Sequence, residues 1–145
     1  MKRIMAVTMC LIIAIVMIAT GERRNEVKAL EGDPFNEPVK IRCTGYLDSG
    51  TTYSGVETRR GIVAGKKEWQ GCVAALYEVN EDGSLGDFIG YFEVLDTGYG
   101  IKTADGGTIQ NGESIDVWQP SEAALKSWVN NFGDYVYVKL TRGVG

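Results

Sequence analysis

From Val39 onward, glycines and polar turns break the chain into short runs of β-forming residues, and only one stretch repeats its apolar residues at helical spacing. That texture restricts the fold more than any other feature. The runs lie at 39–46, 60–65, 72–79, 87–96, 115–118 and 135–141. The turn at 81–84 and the stretch 102–114 are loops, the second long enough to be functional or mobile. The exception follows Pro120. Ser121 can cap a helix there, Ala124, Leu125, Trp128, Val129 and Phe132 share one face, and Asn131 and Gly133 suit its end. Six short strands and one late helix predict a mainly β domain. A small closed barrel is favoured because closure removes exposed strand edges.

The first 21 residues have a different character. Lys2 and Arg3 precede 17 uncharged residues at 4–20, the pattern of a basic n-region and an apolar h-region. Ala19, Thr20 and Gly21 supply small residues for cleavage before Glu22. The alternative is an uncleaved anchor, since 17 residues lie at the short edge of a spanning helix. Either reading delivers the domain outside the cytoplasmic membrane, secreted or in the cell envelope. Residues 22–38 are mixed in charge, contain Pro34 and Pro38, and read as a linker. The domain is then expected over 39–145.

Composition narrows the chemistry. Histidine is absent from the 145 residues. That removes Ser-His-Asp and Cys-His nucleophile systems, a histidine general base and His-ligated zinc. Beyond residue 21, 13 basic side chains stand against 19 acidic ones, a net charge of −6. An acidic domain without a basic block is not expected to bind nucleic acid by phosphate neutralisation. Cys43 and Cys72, with 28 residues between them, are expected to form a disulfide in an oxidising compartment. Closing that loop is worth roughly 3–4 kcal/mol on the chain-entropy model. The alternative is two independently buried thiols. No metal site is expected from two thiols without histidine.

Carboxylates and aromatics are left to carry any reaction. Asp96, Thr97 and Gly98 stand where the most apolar strand breaks into a glycine loop. Asp116 alternates with Ile115 and Val117, so it shares a strand face with Trp118. An aspartate beside an aromatic ring suits a sugar site. The ring stacks on a pyranose, and partial desolvation raises the carboxyl pKa toward that of a general acid. The simpler readings are a surface aspartate near a helix start for Asp116 and a turn residue for Asp96. Tyr46, Tyr53, Tyr99, Trp69 and Trp118 fall at strand ends or in loops, where a glycan cleft can recruit them.

Taken in order, these segments resemble a known family. Cys43-Thr44-Gly45-Tyr46, Tyr53-Ser54-Gly55, Arg60-Gly61-Ile62-Val63-Ala64, Asp96-Thr97-Gly98 and Ile115-Asp116-Val117-Trp118 look like the three-aspartate (3D) domain. That family belongs with the rare-lipoprotein-A-like double-psi β-barrels and is related to the C-terminal part of membrane-bound lytic transglycosylase A. The resemblance spans roughly residues 41–141. It implies a six-stranded double-psi β-barrel that cleaves peptidoglycan between N-acetylmuramic acid and N-acetylglucosamine. Asp116 would be the acid/base and Asp96 its support, with Tyr46, Tyr53, Thr97, Gly98, Tyr99 and Trp118 binding substrate. No cofactor is implied, and a monomer is expected. The chain departs from the family pattern at Gly65, where the first aspartate belongs, and in the 19 residues separating Asp96 from Asp116. An expansin-like module that binds wall polysaccharide without cleaving it is the alternative.

Overall fold

A computed structural model describes residues 32–143. The signal or anchor expected at 1–21 and most of the linker lie outside the described residues. Six strands follow in order: β1 (Val39–Tyr46), β2 (Ile62–Ala64), β3 (Cys72–Val79), β4 (Leu85–Asp96), β5 (Ser114–Trp118) and β6 (Tyr135–Arg142). One helix, α1 (Glu122–Phe132), lies between β5 and β6. Each expected strand is present. β2 is shorter than its apolar run because Gly61 takes a positive φ of 86° just before it, turning the chain into the strand.

The strands close into a ring in the order β1-β5-β2-β4-β3-β6. Only β3 and β4 are neighbours both in sequence and in space. β1 runs parallel to β5 and β2 parallel to β4, while the remaining pairs are antiparallel. Alternation along β1, β3 and β6 explains the interior. Val39, Ile41 and Cys43, then Cys72, Ala74 and Leu76, then Val136, Val138 and Leu140 point inward, while their neighbours are more exposed. β2 is buried along its whole length, as a strand covered on both faces must be.

Ser121 caps α1 in an extended conformation, its Oγ accepting from the Ala124 N–H at 3.2 Å, and Gly133 ends the helix. The face is narrower than the spacing predicts. Trp128 is buried against Phe92 and Phe132, with ring centroids 5.7 and 4.6 Å away, but Val129 is 39 % exposed. A lone helix on a curved sheet buries a thin stripe, and Val129 lies about 100° around the helix from Trp128.

The expected Cys43–Cys72 disulfide is corrected: both cysteines are free and buried. Cys43 N–H donates to the Asp134 carbonyl just before β6, whereas Cys72 pairs with Arg142 at the other end of β6. That strand has eight residues and is about 23 Å long at ~3.3 Å per residue, so the two cysteines sit beside opposite ends of it, whereas a disulfide needs ~4–7 Å between Cα atoms. The alternative of two separately buried thiols describes the molecule. Within the expected linker, the Asp33–Glu37 stretch is packed onto the ring. Pro34 is buried, its carbonyl accepts from the Leu140 N–H at 2.8 Å, and Phe35 lies against the core.

Candidate active site

Asp96 and Asp116 come together around β2. Ala64 is the register partner of Asp116 on one side and of Asp96 on the other. The pairing to β4 slips between Val63 and Ala64, passing over Leu95, so that Asp96 takes the place opposite Ala64. A bulge of this kind re-aims a side chain beside a site. Both aspartates line a polar cleft of about 410 Å³, together with Tyr46, Thr97, Gly98 and Tyr99. Six of the eight catalytic and substrate-binding residues expected from sequence thus share one cavity.

The two carboxylates have different surroundings. Asp96 is fully engaged: Oδ2 accepts from the Tyr46 hydroxyl at 2.8 Å, and Oδ1 accepts from the Tyr53 and Thr97 N–H groups at 3.0 and 2.9 Å. Asp116 is half-buried, with Oδ1 accepting from Thr44 Oγ1 across the parallel β1–β5 pair. Its Oδ2 has no hydrogen-bond donor among the described residues. Burial pushes the Asp116 carboxyl pKa above the ordinary aspartate value, and the Thr44 hydroxyl pulls it partly back. The Tyr46 phenol is also pushed upward, first by burial and then by its bond to Asp96 and the nearby carboxylates. Tyr46 therefore remains a proton donor that holds Asp96 in place.

Two expected site residues lie elsewhere. Tyr53, 59 % exposed, contributes its backbone N–H to Asp96 but is not among the residues lining the cleft, and Lys67 Nζ lies 5.9 Å from its ring centroid. Trp118 shares the strand face of Asp116 but lines a separate groove, and its indole N–H donates to the Asp48 carbonyl at 2.8 Å. The stacking of Trp118 on a sugar held at Asp116 is therefore not set up in this arrangement.

Stretch 102–114 is pinned, not a loose lid. Ile109 is fully buried, the Ile109 N–H reaches the Tyr99 carbonyl at 3.1 Å, and Gln110 Nε2 donates to Thr97 Oγ1 and the Gly98 carbonyl at 2.7 and 2.6 Å. Gly107 is required there, with φ of 138° and the Tyr99 backbone in the space a Cβ would take. Gly65 is tight too: a Cβ would stand 2.9 Å from Val94 Cγ1 and 3.3 Å from Trp69 Cε3. Its carbonyl accepts from Thr97 Oγ1 at 2.8 Å.

Sequence reasoning passed over Thr44, Asp48, Gln70 and Gln110. Gln70 Nε2 donates to the Asp96 carbonyl at 2.7 Å, and Asp48 lines the cleft. Thr44 was in view as part of a strand motif, but its role depends on the β1–β5 register. The three others carry no local signal, since their partners are distant in the chain. No group of three or more potential metal ligands occurs among the described residues. The chain matches no protein-family model, no curated protein and no solved structure.

Proposed function

We propose that the chain cleaves peptidoglycan as a lytic transglycosylase, with Asp116 as the acid/base of a double-psi β-barrel. The observation that carries this reading is the contrast between the two carboxylates lining the cleft: Asp116 has a raised pKa and an oxygen without a donor among the described residues, while both oxygens of Asp96 are occupied. The ring order and its two parallel strand pairs support the barrel assignment. Protonated Asp116 donates its proton to the glycosidic oxygen, the bond to muramic C1 breaks, and N-acetylglucosamine leaves with a free 4-hydroxyl. The Asp116 carboxylate then takes the proton of the muramic 6-hydroxyl as that oxygen attacks C1, giving a 1,6-anhydro product and restoring the acid. Asp96, held by three donors, supplies fixed negative charge toward the oxocarbenium-like centre.

Gly65 favours a second reading. No aspartate stands at the position of the family's first one, and the packing around Gly65 disfavours a side chain there. A wall-binding module without turnover is consistent with that.

Digestion of purified peptidoglycan by the full-length chain, with mass spectrometry of the soluble products, separates the readings. Anhydro-muropeptides that disappear with Asp116→Asn are expected. Reducing-end products would mean hydrolysis. No soluble product, with the protein in the pellet, would establish the binding module, and a wild-type rate in Asp116→Asn would end the proposed mechanism.

A further inference from the structure

A second groove, about 460 Å³, lies between α1 and the strands beside it. Five aromatic residues, Tyr91, Phe92, Trp118, Trp128 and Phe132, line it beside polar side chains from Gln119, Ser127 and Asn131, and Arg60 is the one charged side chain in its lining. Arg60 makes no ion pair among the described residues, whereas the adjacent Arg59 is paired with Glu93 at 2.9 Å. An exposed guanidinium without an ion pair among the described residues, lining the same groove as five aromatic residues, is complementary to a ligand that is partly apolar and ends in a carboxylate. Tyr91 is 72 % exposed, so the groove is open to a ligand from solvent.

The groove adjoins the candidate cleft. Asp116 lines the cleft and Trp118, two residues along β5, lines the groove, a separation of about 7 Å along the strand. The Trp118 indole N–H is already donated to Asp48, which leaves the ring itself as the groove wall. A peptide attached to a sugar in the cleft covers that step with about two extended residues.

Resting on the peptidoglycan reading above, we propose that this groove binds the stem peptide carried by the muramic acid, with Arg60 pairing a stem carboxylate and the aromatic walls packing its aliphatic side chains. The groove then selects peptide-bearing glycan over bare glycan. It is a binding site and takes no part in bond cleavage.

The test is titration of the full-length Asp116→Asn chain in mild detergent, followed by intrinsic tryptophan fluorescence. The ligands are a disaccharide-tetrapeptide, the same disaccharide without peptide, and the tetrapeptide form with amidated carboxylates. The peptide-bearing ligand is expected to bind about tenfold more tightly than the other two, and Arg60→Gln to remove that advantage while leaving the bare disaccharide unchanged. Equal affinity for all three ligands overturns the stem site and leaves the glycan reading standing. Equal weakening of all three by Arg60→Gln does the same. Binding of neither the disaccharide nor its peptide forms overturns both. A concentration-dependent dimer that disappears with Tyr91→Ser, without ligand selectivity, would assign the groove to a second copy of the chain.

Discussion

Asp116 combines a partly buried carboxyl with a single neutral donor, and this makes its charge costly in the folded state. Its folded pKa lies above its unfolded one, so the stability it contributes is complete below the unfolded pKa and is lost as pH rises through the folded pKa. Asp116→Asn is therefore expected to raise the melting temperature at pH 7, with the gain shrinking toward zero below about pH 4. Thermal unfolding of both forms across pH tests this, and a constant difference at all pH values would contradict it. Under the proposed mechanism, the same raised pKa puts loss of the general acid, and so of turnover, on the alkaline limb of the pH profile. Asp96 depends on its donors instead. Tyr46→Phe removes one of three hydrogen bonds and leaves the two backbone donors. A loss of about 1–2 kcal/mol in denaturant-induced unfolding is expected, with the fold retained. Residue chemistry was partly legible in advance: the two aspartates were identifiable because a carboxylate at a strand end or between apolar neighbours is a local pattern. The Thr44 contact was not, because the two residues are 72 apart in the chain.

At the scale of elements, the slip between Val63 and Ala64 and the close packing at Gly65 set the cleft wall. Gly65→Asp would supply a carboxylate where the resemblance to the three-aspartate domain leads one to expect it, but its Cβ meets Val94 and Trp69. It is expected to destabilise the domain by about 1–3 kcal/mol, as small-to-large changes in packed sites do, and not to increase glycan cleavage. Calorimetry and a product assay on that variant check both parts; a stable, faster variant would show that the site tolerates the third carboxylate. The same scale marks the limit of periodicity. All six strands and the helix were readable because alternation and helical spacing are properties of adjacent residues. Val129 was not placed correctly, since how wide a stripe α1 buries depends on the curvature of the sheet beneath it. The pinning of 102–114 escaped for a related reason: its anchors, Tyr99 and Thr97, lie on the loop leading into it, and a polar stretch gives no sign that Ile109 will be fully buried.

For the molecule as a whole, closure of the ring takes the place that a covalent link was expected to fill. Burial pushes the Cys43 thiol pKa up to about 12, so it is a poor nucleophile while the fold is intact. Thiol titration is expected to find Cys43 unreactive in the native state and both Cys43 and Cys72 reactive after unfolding, with reductant leaving the melting temperature unchanged. A drop on reduction would mean that the two sulfurs do pair. The disulfide expectation rested on compartment and count, which are properties of a sequence; whether two cysteines meet is a property of topology, and here β6 stands between them. The amino-acid order alone was enough to establish a mainly β domain, its six strand segments and the cap of α1, and to single out the two aspartates that line one cleft, because each rests on spacing within a few residues. Which strands became neighbours, which hydroxyl reached Asp116, and why Trp118 turned into a separate groove were decided only by closure of the ring, since strand pairing joins residues far apart in the chain and no local pattern encodes its register.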